Sequence, residues 1–282
     1  MWVAGGLSMG QFMEAVIPKI NKIITICKRP SLRVSIAFNI VAFGLLWLGY
    51  STVRRITSGS FQLAQENAAR VVDFQERIGL PSETVLQKQI IDVDWIVQVA
   101  NVFYFAMHFP SMILFLLWAM FRKREWMPKI RFALISTTAI GLIIHLAFPL
   151  APPRLTEIPG FVDTAKVFGP DPYKLGIAKA ANQFAAMPSL HVGWAILLAL
   201  AVLSIVKSRY RWLILLHPVI TTIVVVVTAN HWWLDIFVGA ILGWAGWLIG
   251  FKYRPLLKFS KKEKAALSSS ATSVSVDEAM TE

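Results

Sequence analysis

A single cysteine, Cys27, stands among 282 residues, so no internal disulfide can form and no cluster of thiolates can hold a metal. Charge is scarce as well: Asp, Glu, Lys and Arg make up 16% of the chain, against about 25% in soluble domains. Hydrophobic residues reach 56% and the mean hydropathy is +0.59. This balance excludes a soluble domain of such length and indicates an integral membrane protein. The apolar runs lack the alternation of membrane strands, which excludes a closed β-barrel. The first 33 residues also lack a charged start followed by a short apolar stretch and a small-residue cleavage site, so no cleaved secretory signal is expected. No internal repeat is visible.

What is present is a series of six apolar runs, near 34–53, 95–121, 131–150, 188–207, 212–230 and 232–251. Each is long enough to cross a hydrocarbon core of about 30 Å, which takes about 20 helical residues. The expectation is an all-α fold, a six-transmembrane helical bundle over 34–253. Pro110 interrupts the second run and His231 precedes the sixth, and both spans are expected to kink or fray there. Residues 1–33, 122–131, 207–211 and 252–282 hold 19 Lys and Arg, whereas 54–94 and 151–187 hold nine. The excess of positive charge places both termini in the cytoplasm. The formal net charge of +12 sits in segments flanking the spans, such as Arg122-Lys123-Arg124 and Lys261-Lys262. Topology and anionic lipid explain it, and no nucleic-acid partner is expected.

Outside the bundle, Met9, Phe12, Met13, Val16, Ile17, Ile20, Ile23 and Ile24 recur at helical spacing, which predicts an amphipathic helix over 9–26 at the cytoplasmic interface, within an N-terminal region of residues 1–33. Residues 254–282 are basic and then, from Ala265, polar and expected to be disordered. The loop 54–94 is expected to form an extracytoplasmic helical cap: a helix from about Ser60 to Ile78, a break at Gly79-Leu80-Pro81, and a restart at Ser82-Glu83. The loop 151–187 is long and rich in Pro and Gly, as functional loops often are.

Arg154 follows the third span, His191 opens the fourth, and His231 with Asp235 opens the sixth, so the expected topology puts all four on the outer side. Ionisable groups at such depths are costly and mark function by default. His231 and Asp235 are four residues apart, on one helix face. Their chemistry suits phosphoryl transfer. An imidazole oriented by a carboxylate can attack phosphorus and form a phosphohistidine, a second histidine can protonate the leaving oxygen, and an arginine can clamp two phosphate oxygens. The helix openings at Ser189 and His231 add backbone amides facing the anion. The four are expected to meet in one outward-opening pocket sized for a tetrahedral anion. Other readings remain beside this one: His231 and Asp235 as a structural pair joining helices, Arg154 as an interfacial snorkel, or the histidines as the proton relay of a transporter. The absence of paired broken spans and repeated halves stands against the transporter.

These residues resemble the type 2 phosphatidic acid phosphatase superfamily of membrane enzymes. Met187-Pro188-Ser189-Leu190-His191 resembles its second motif, with leucine where glycine is usual, and His231-x-x-x-Asp235 resembles the end of its third. Pro152-Pro153-Arg154-Leu155 is similar to the arginine motif of the inositolphosphotransferase-like branch, which includes inositol phosphorylceramide synthases. The resemblance runs from about Asn67 to Gly250 and is closest to bacterial members. Two departures matter. The superfamily's first-motif lysine is replaced by Ala147, and the Ser-Arg of its third motif by Val224 and Val225. That branch shares such losses, and Lys166, Lys174 and Lys179 are candidates to make up the missing charge.

The resemblance implies His231 as nucleophile, Asp235 as its orienter, His191 as general acid and Arg154 as phosphate clamp, with Ser189 donating to phosphate. It implies transfer of a phosphoinositol or other phosphoalcohol group from a phospholipid, such as phosphatidylinositol, to a lipid or glycan acceptor at the outer face of the bacterial plasma membrane. The alternative is hydrolysis of a lipid phosphate: phosphatidic acid, phosphatidylglycerol phosphate or a polyprenyl phosphate. No cofactor is implied.

Asn101, Tyr104 and His108 lie at i, i+3 and i+7, a polar stripe expected on the inner face of one span, where it either supports the histidines or binds a head group. His145 is a weaker candidate, His217 reads as structural, and Trp232 and Trp233 read as interface anchors. The arrangement requires no metal, so activity is expected to persist in EDTA; a loss that zinc or magnesium reverses would contradict this reading.

Overall fold

The computed structural model describes residues 32–57, 61–170 and 184–252. The chain divides into Ala37–Lys252, treated below, and a second unit of Met1–Ile36 with Tyr253–Glu282, of which only 32–36 are described. The helix expected over 9–26, the tail from Ala265, and Lys174 and Lys179 lie outside the described residues.

Regular structure among the described residues is helical, with one isolated parallel bridge between Leu150 and Ala185. In order, the helices are α1 Leu32–Thr57, α2 Phe61–Arg77, α3 Glu83–Lys88, α4 Asp94–Ala106, α5 His108–Arg122, α6 Met127–Ala147, α7 Thr164–Phe168, α8 Leu190–Ile205, α9 Leu216–Val227 and α10 Trp233–Trp247. A 3-10 segment, Arg209–Leu215, leads into α9, and a π-helical turn, Leu248–Lys252, ends α10.

Each of the six apolar runs falls on helix. Arg124–Ala147, Arg209–Val227 and Trp233–Lys252 are long and apolar enough to cross a membrane, and the bent pair Asp94–Ala106 with Pro110–Arg122 adds a fourth if it counts as one span. Asn39–Val53 and Leu190–Ile205 are apolar but shorter. At about 1.5 Å per residue, a helix of Leu190–Ile205's length rises only about 24 Å. The exposed faces fit lipid contact: Val219, Ile220 and Ile223 on α9 and Phe237, Ile241 and Trp244 on α10 are all large, apolar and uncovered. The protein is a membrane protein.

The second run departs from one continuous span. It breaks at Met107, and its halves meet at 43°. Pro110 has no amide hydrogen to donate and is tolerated only in a first turn, so a new helix starts at His108 instead of continuing from Ala106.

The core is built around α8 and α10, which pack backbone against backbone. A Cβ on Gly239 would meet the Ser189 carbonyl, one on Gly243 the Gly193 carbonyl, and one on Gly193 the Gly239 carbonyl at 2.9 Å. Gly246 of α10 lies against Thr137, and Gly250 of the π-helical turn that follows lies against Ala133, so α6 packs on this stretch just as tightly. Small residues at such spacing let membrane helices approach until dispersion and backbone contacts hold them. Around this centre, Val192 of α8, Val225 and Val226 of α9, and Ile236 of α10 form one buried cluster.

The helix expected at 60–78 is α2, and Ser82 caps α3 as the sequence indicates, its side chain accepting from Thr84 N. Ala64, Ala68, Val71 and Gln75 form the buried stripe of α2 at helical spacing, and the first three pack with Leu150, Ala151 and Trp232. Trp232 is fully buried, its Nε1 donating to Ala151 O at 2.9 Å. It is therefore a core residue rather than the interface anchor its aromatic type suggested, because the tight turn before α10 draws it under α2. Gly243→Ala is expected to destabilise the protein by about 1–3 kcal/mol through overpacking, measured by thermal unfolding in detergent. Gly44→Ala, where the added carbon meets nothing within 4 Å, should leave the midpoint unchanged or raise it.

Candidate active site

The chain leaves α9 through a tight reversal that sets the site. Ala229 adopts φ 54°, a left-handed conformation that costs a non-glycine residue about 1–2 kcal/mol. The reversal returns the Asn230 and His231 amides to one acceptor, Val225 O, at 3.0 and 3.1 Å. It also turns the Ala229 carbonyl outward, where it accepts from Arg154 N at 2.9 Å.

One turn later the expected pair forms: His231 Nδ1 lies 3.3 Å from Asp235 Oδ2, and both residues are buried. A carboxylate at Nδ1 selects the tautomer that leaves Nε2 unprotonated, which a nucleophile requires. His191, at the start of α8, brings its ring to 5.6 Å from that of His231, centroid to centroid, at 60°. Tyr104 of α4 stacks on the other side of His191 at 4.4 Å and 23°. Ser189 caps α8 through Val192 N and donates its own amide to Asp235 O at 2.9 Å. The two histidine-bearing helix starts are thereby joined.

Arg154 sits in a 3-10 turn, Pro153–Leu155, behind two prolines. Its Nε donates to Asn230 Oδ1 at 2.9 Å and its Nη1 to Asp163 Oδ2 at 3.3 Å, with only 4% of the side chain exposed. The snorkelling alternative fails on this geometry. Asn230 is itself fixed by Thr228, whose hydroxyl accepts from its Nδ2 at 2.8 Å. The guanidinium is thus aimed by the residue that precedes His231 and is shared with Asp163.

Other expectations come out differently. Asn101 does not join the histidines: its Nδ2 donates to Gly169 O at 2.9 Å and its Oδ1 accepts from Thr164 at 2.7 Å, which ties α4 to the loop around α7. The break at Met107 puts His108 on a different helix from Asn101 and Tyr104, so the three form no single stripe, and the His108 side chain lies outside the described residues. Lys166 is exposed. The cavity touching His191, lined also by Phe103, Tyr104, Thr221, Val224 and Val225, measures about 10 Å³. That is room for about one water, on the Tyr104 side of the imidazole and away from His231, Asp235 and Arg154.

His145, the weaker candidate, is buried, with Nδ1 2.6 Å from Met187 O, and so holds the segment leading to Ser189 and His191. Other residues escaped the sequence. Gln87 clasps Val162 and Val227, donating to both carbonyls and accepting from Val162 N. Glu83 and Gln75 reach α10: Glu83 Oε1 accepts from Trp233 N at 2.9 Å and from Gln75 Nε2 at 2.8 Å, while Gln75 Oε1 accepts from Leu234 N at 2.9 Å. Their partners lie up to 159 residues away, and only the capping pair Ser82-Glu83 gave any local signal.

A buried histidine–carboxylate pair, a second histidine and an enclosed arginine thus lie on neighbouring segments of an apolar helical membrane protein. A family model described as the PAP2 superfamily matches residues 69–249, and the chain belongs to that superfamily. Membership supports a phosphatase- or phosphotransferase-type enzyme acting on lipid. No curated protein and no solved structure gives a match.

Asn230→Ala removes the acceptor that aims Arg154, a hydrogen bond to a charged group worth about 1.5–3 kcal/mol. It is expected to lower kcat/KM by about 10- to 100-fold in steady-state assays. Asn101→Ala should act mainly on thermal stability.

Proposed function

We propose that the protein transfers a phosphoalcohol group from a membrane phospholipid through a phosphohistidine, with phosphoinositol as the group and a lipid or glycan as the acceptor. The observation that carries the chemistry is the approach of His191 to 5.6 Å from a His231 whose Nδ1 faces Asp235. His231 Nε2 attacks phosphorus, and the bond to the lipid's leaving oxygen breaks as His191 delivers a proton to it. Arg154 balances charge on the equatorial oxygens. In the second half His191 takes the proton of an incoming hydroxyl, which displaces His231 from phosphorus. Water in place of that hydroxyl releases the phosphoalcohol as a phosphate monoester; with a lipid phosphate monoester as substrate, His231 would carry a bare phosphoryl group and water would release inorganic phosphate.

Transfer of phosphoinositol is favoured by the Pro152-Pro153-Arg154-Leu155 motif and by Ala147, Val224 and Val225 where other members carry phosphate-binding polar groups. The distribution of Lys and Arg supports six crossings with both termini in the cytoplasm and the reaction centre at the outer face of a bacterial plasma membrane.

Purified protein incubated with radiolabelled phosphatidylinositol and candidate acceptors is expected to give a labelled lipid or glycan product. Release of inorganic phosphate from phosphatidic acid or a polyprenyl phosphate instead would establish the phosphatase. His231→Ala should abolish turnover and any acid-labile protein phosphorylation. His191→Ala should retain part of the activity on aryl phosphates, whose leaving groups need no proton, while losing alkyl substrates. Equal loss on both substrates would remove His191 from the acid role.

A further inference from the structure

Helix α10 starts without a cap of its own. Its N-cap residue, Trp232, is extended and offers no side-chain acceptor to the first turn, although the opening amides of any helix need partners from outside it. Two of those amides, on Trp233 and Leu234, are met by Glu83 Oε1 and Gln75 Oε1, both at 2.9 Å. Gln75 Nε2 also donates to Glu83 Oε1 at 2.8 Å, and both residues are buried, Glu83 to 2% exposure. Trp233 is fastened a second time, its Nε1 donating to Pro81 O at 2.9 Å. Burial raises the Glu83 carboxyl above the usual glutamate range, and the hydrogen bonds from Trp233, its own amide and Gln75 pull it back. A carboxylate at a helix start also interacts favourably with the helix dipole.

Asp235 is the next residue along that first turn, and its carboxylate faces His231. A first turn lacking amide partners frays, and here fraying would move the group that orients the nucleophile. We propose that Glu83 is a positioning residue for the reaction: with Gln75 it caps α10 from a distant part of the chain and so holds Asp235 in register with His231. The α2–α3 segment thereby governs the pair through the opening of α10. The inference rests on the phosphohistidine reading of His231.

Glu83→Ala is expected to lower kcat by tenfold or more on an aryl phosphate with KM within about twofold, because the lost alignment acts on chemistry. Glu83→Gln, which keeps an oxygen acceptor for Trp233 N, should recover most of that loss. In an Asp235→Asn background Glu83→Ala should cost less than twofold further, since both act through one carboxylate. An equal factor in both backgrounds, or full kcat in folded Glu83→Ala protein, overturns the proposal. Should Glu83→Ala not fold, Gln75→Met removes the Leu234 acceptor at similar volume and is expected to show the same dependence on Asp235; an effect independent of Asp235 again overturns it. A second readout needs no turnover: the NMR signal of the His231 Nδ1 proton should be displaced or lost in Glu83→Ala, and an unchanged signal counts against positioning. If the native protein lacks turnover while that signal still responds to Glu83, the functional reading fails and the positioning stands.

Discussion

The close approach of α8 to α10 is the constraint on which the site depends. Glycines at 193, 239 and 243 remove the side chains that would separate the two backbones, and the Ser189 amide then reaches Asp235 O. His191 sits two residues after Ser189, and His231 is bonded to Asp235, so one backbone contact sets the separation of the two imidazoles. Any side chain wider than hydrogen at that seam would displace both histidines together. Helix packing and the placement of the two histidines depend on the same few atoms.

Around that seam most buried polar groups have a partner, whereas Asp235 Oδ1 and Thr137 Oγ1 are buried without one among the described residues. Arg154 takes Asn230 and Asp163, His145 takes the Met187 carbonyl, Gln87 takes Val162 and Val227, and the opening of α10 takes Glu83 and Gln75. In an apolar bundle an unpaired amide or charge costs more than it would near water. The void beside His191, lined by Tyr104 and residues of α9, is water-sized.

Some of this was legible before any fold was known. Composition and the six apolar runs determined a helical membrane protein, and residue type with spacing singled out His191, His231, Asp235 and Arg154, because ionisable groups in apolar segments stand out against their surroundings. The helix of α2, the break at Gly79-Leu80-Pro81 and the cap at Ser82 were equally local and equally readable. Asn101 was misplaced because helical spacing ranks residues by face and says nothing of which neighbour reaches that face first. His108 was misgrouped because the break, expected at Pro110, falls at Met107, inside the stripe. Trp232 was read as an anchor because aromatic residues at span ends usually are; its burial follows from a turn at Ala229 that nothing in its residue type announces.

By itself, then, the sequence determined the class of structure, the segments that form helices and the chemical groups available for reaction, since these depend on local periodicity and on the cost of charge in an apolar setting. Only the tertiary structure decided which of those groups meet, what aims the arginine, and that the helix bearing Asp235 borrows its cap from Glu83 and Gln75. Those outcomes depend on contacts between residues far apart in the chain, whose pairing is fixed by how closely two backbones can pack.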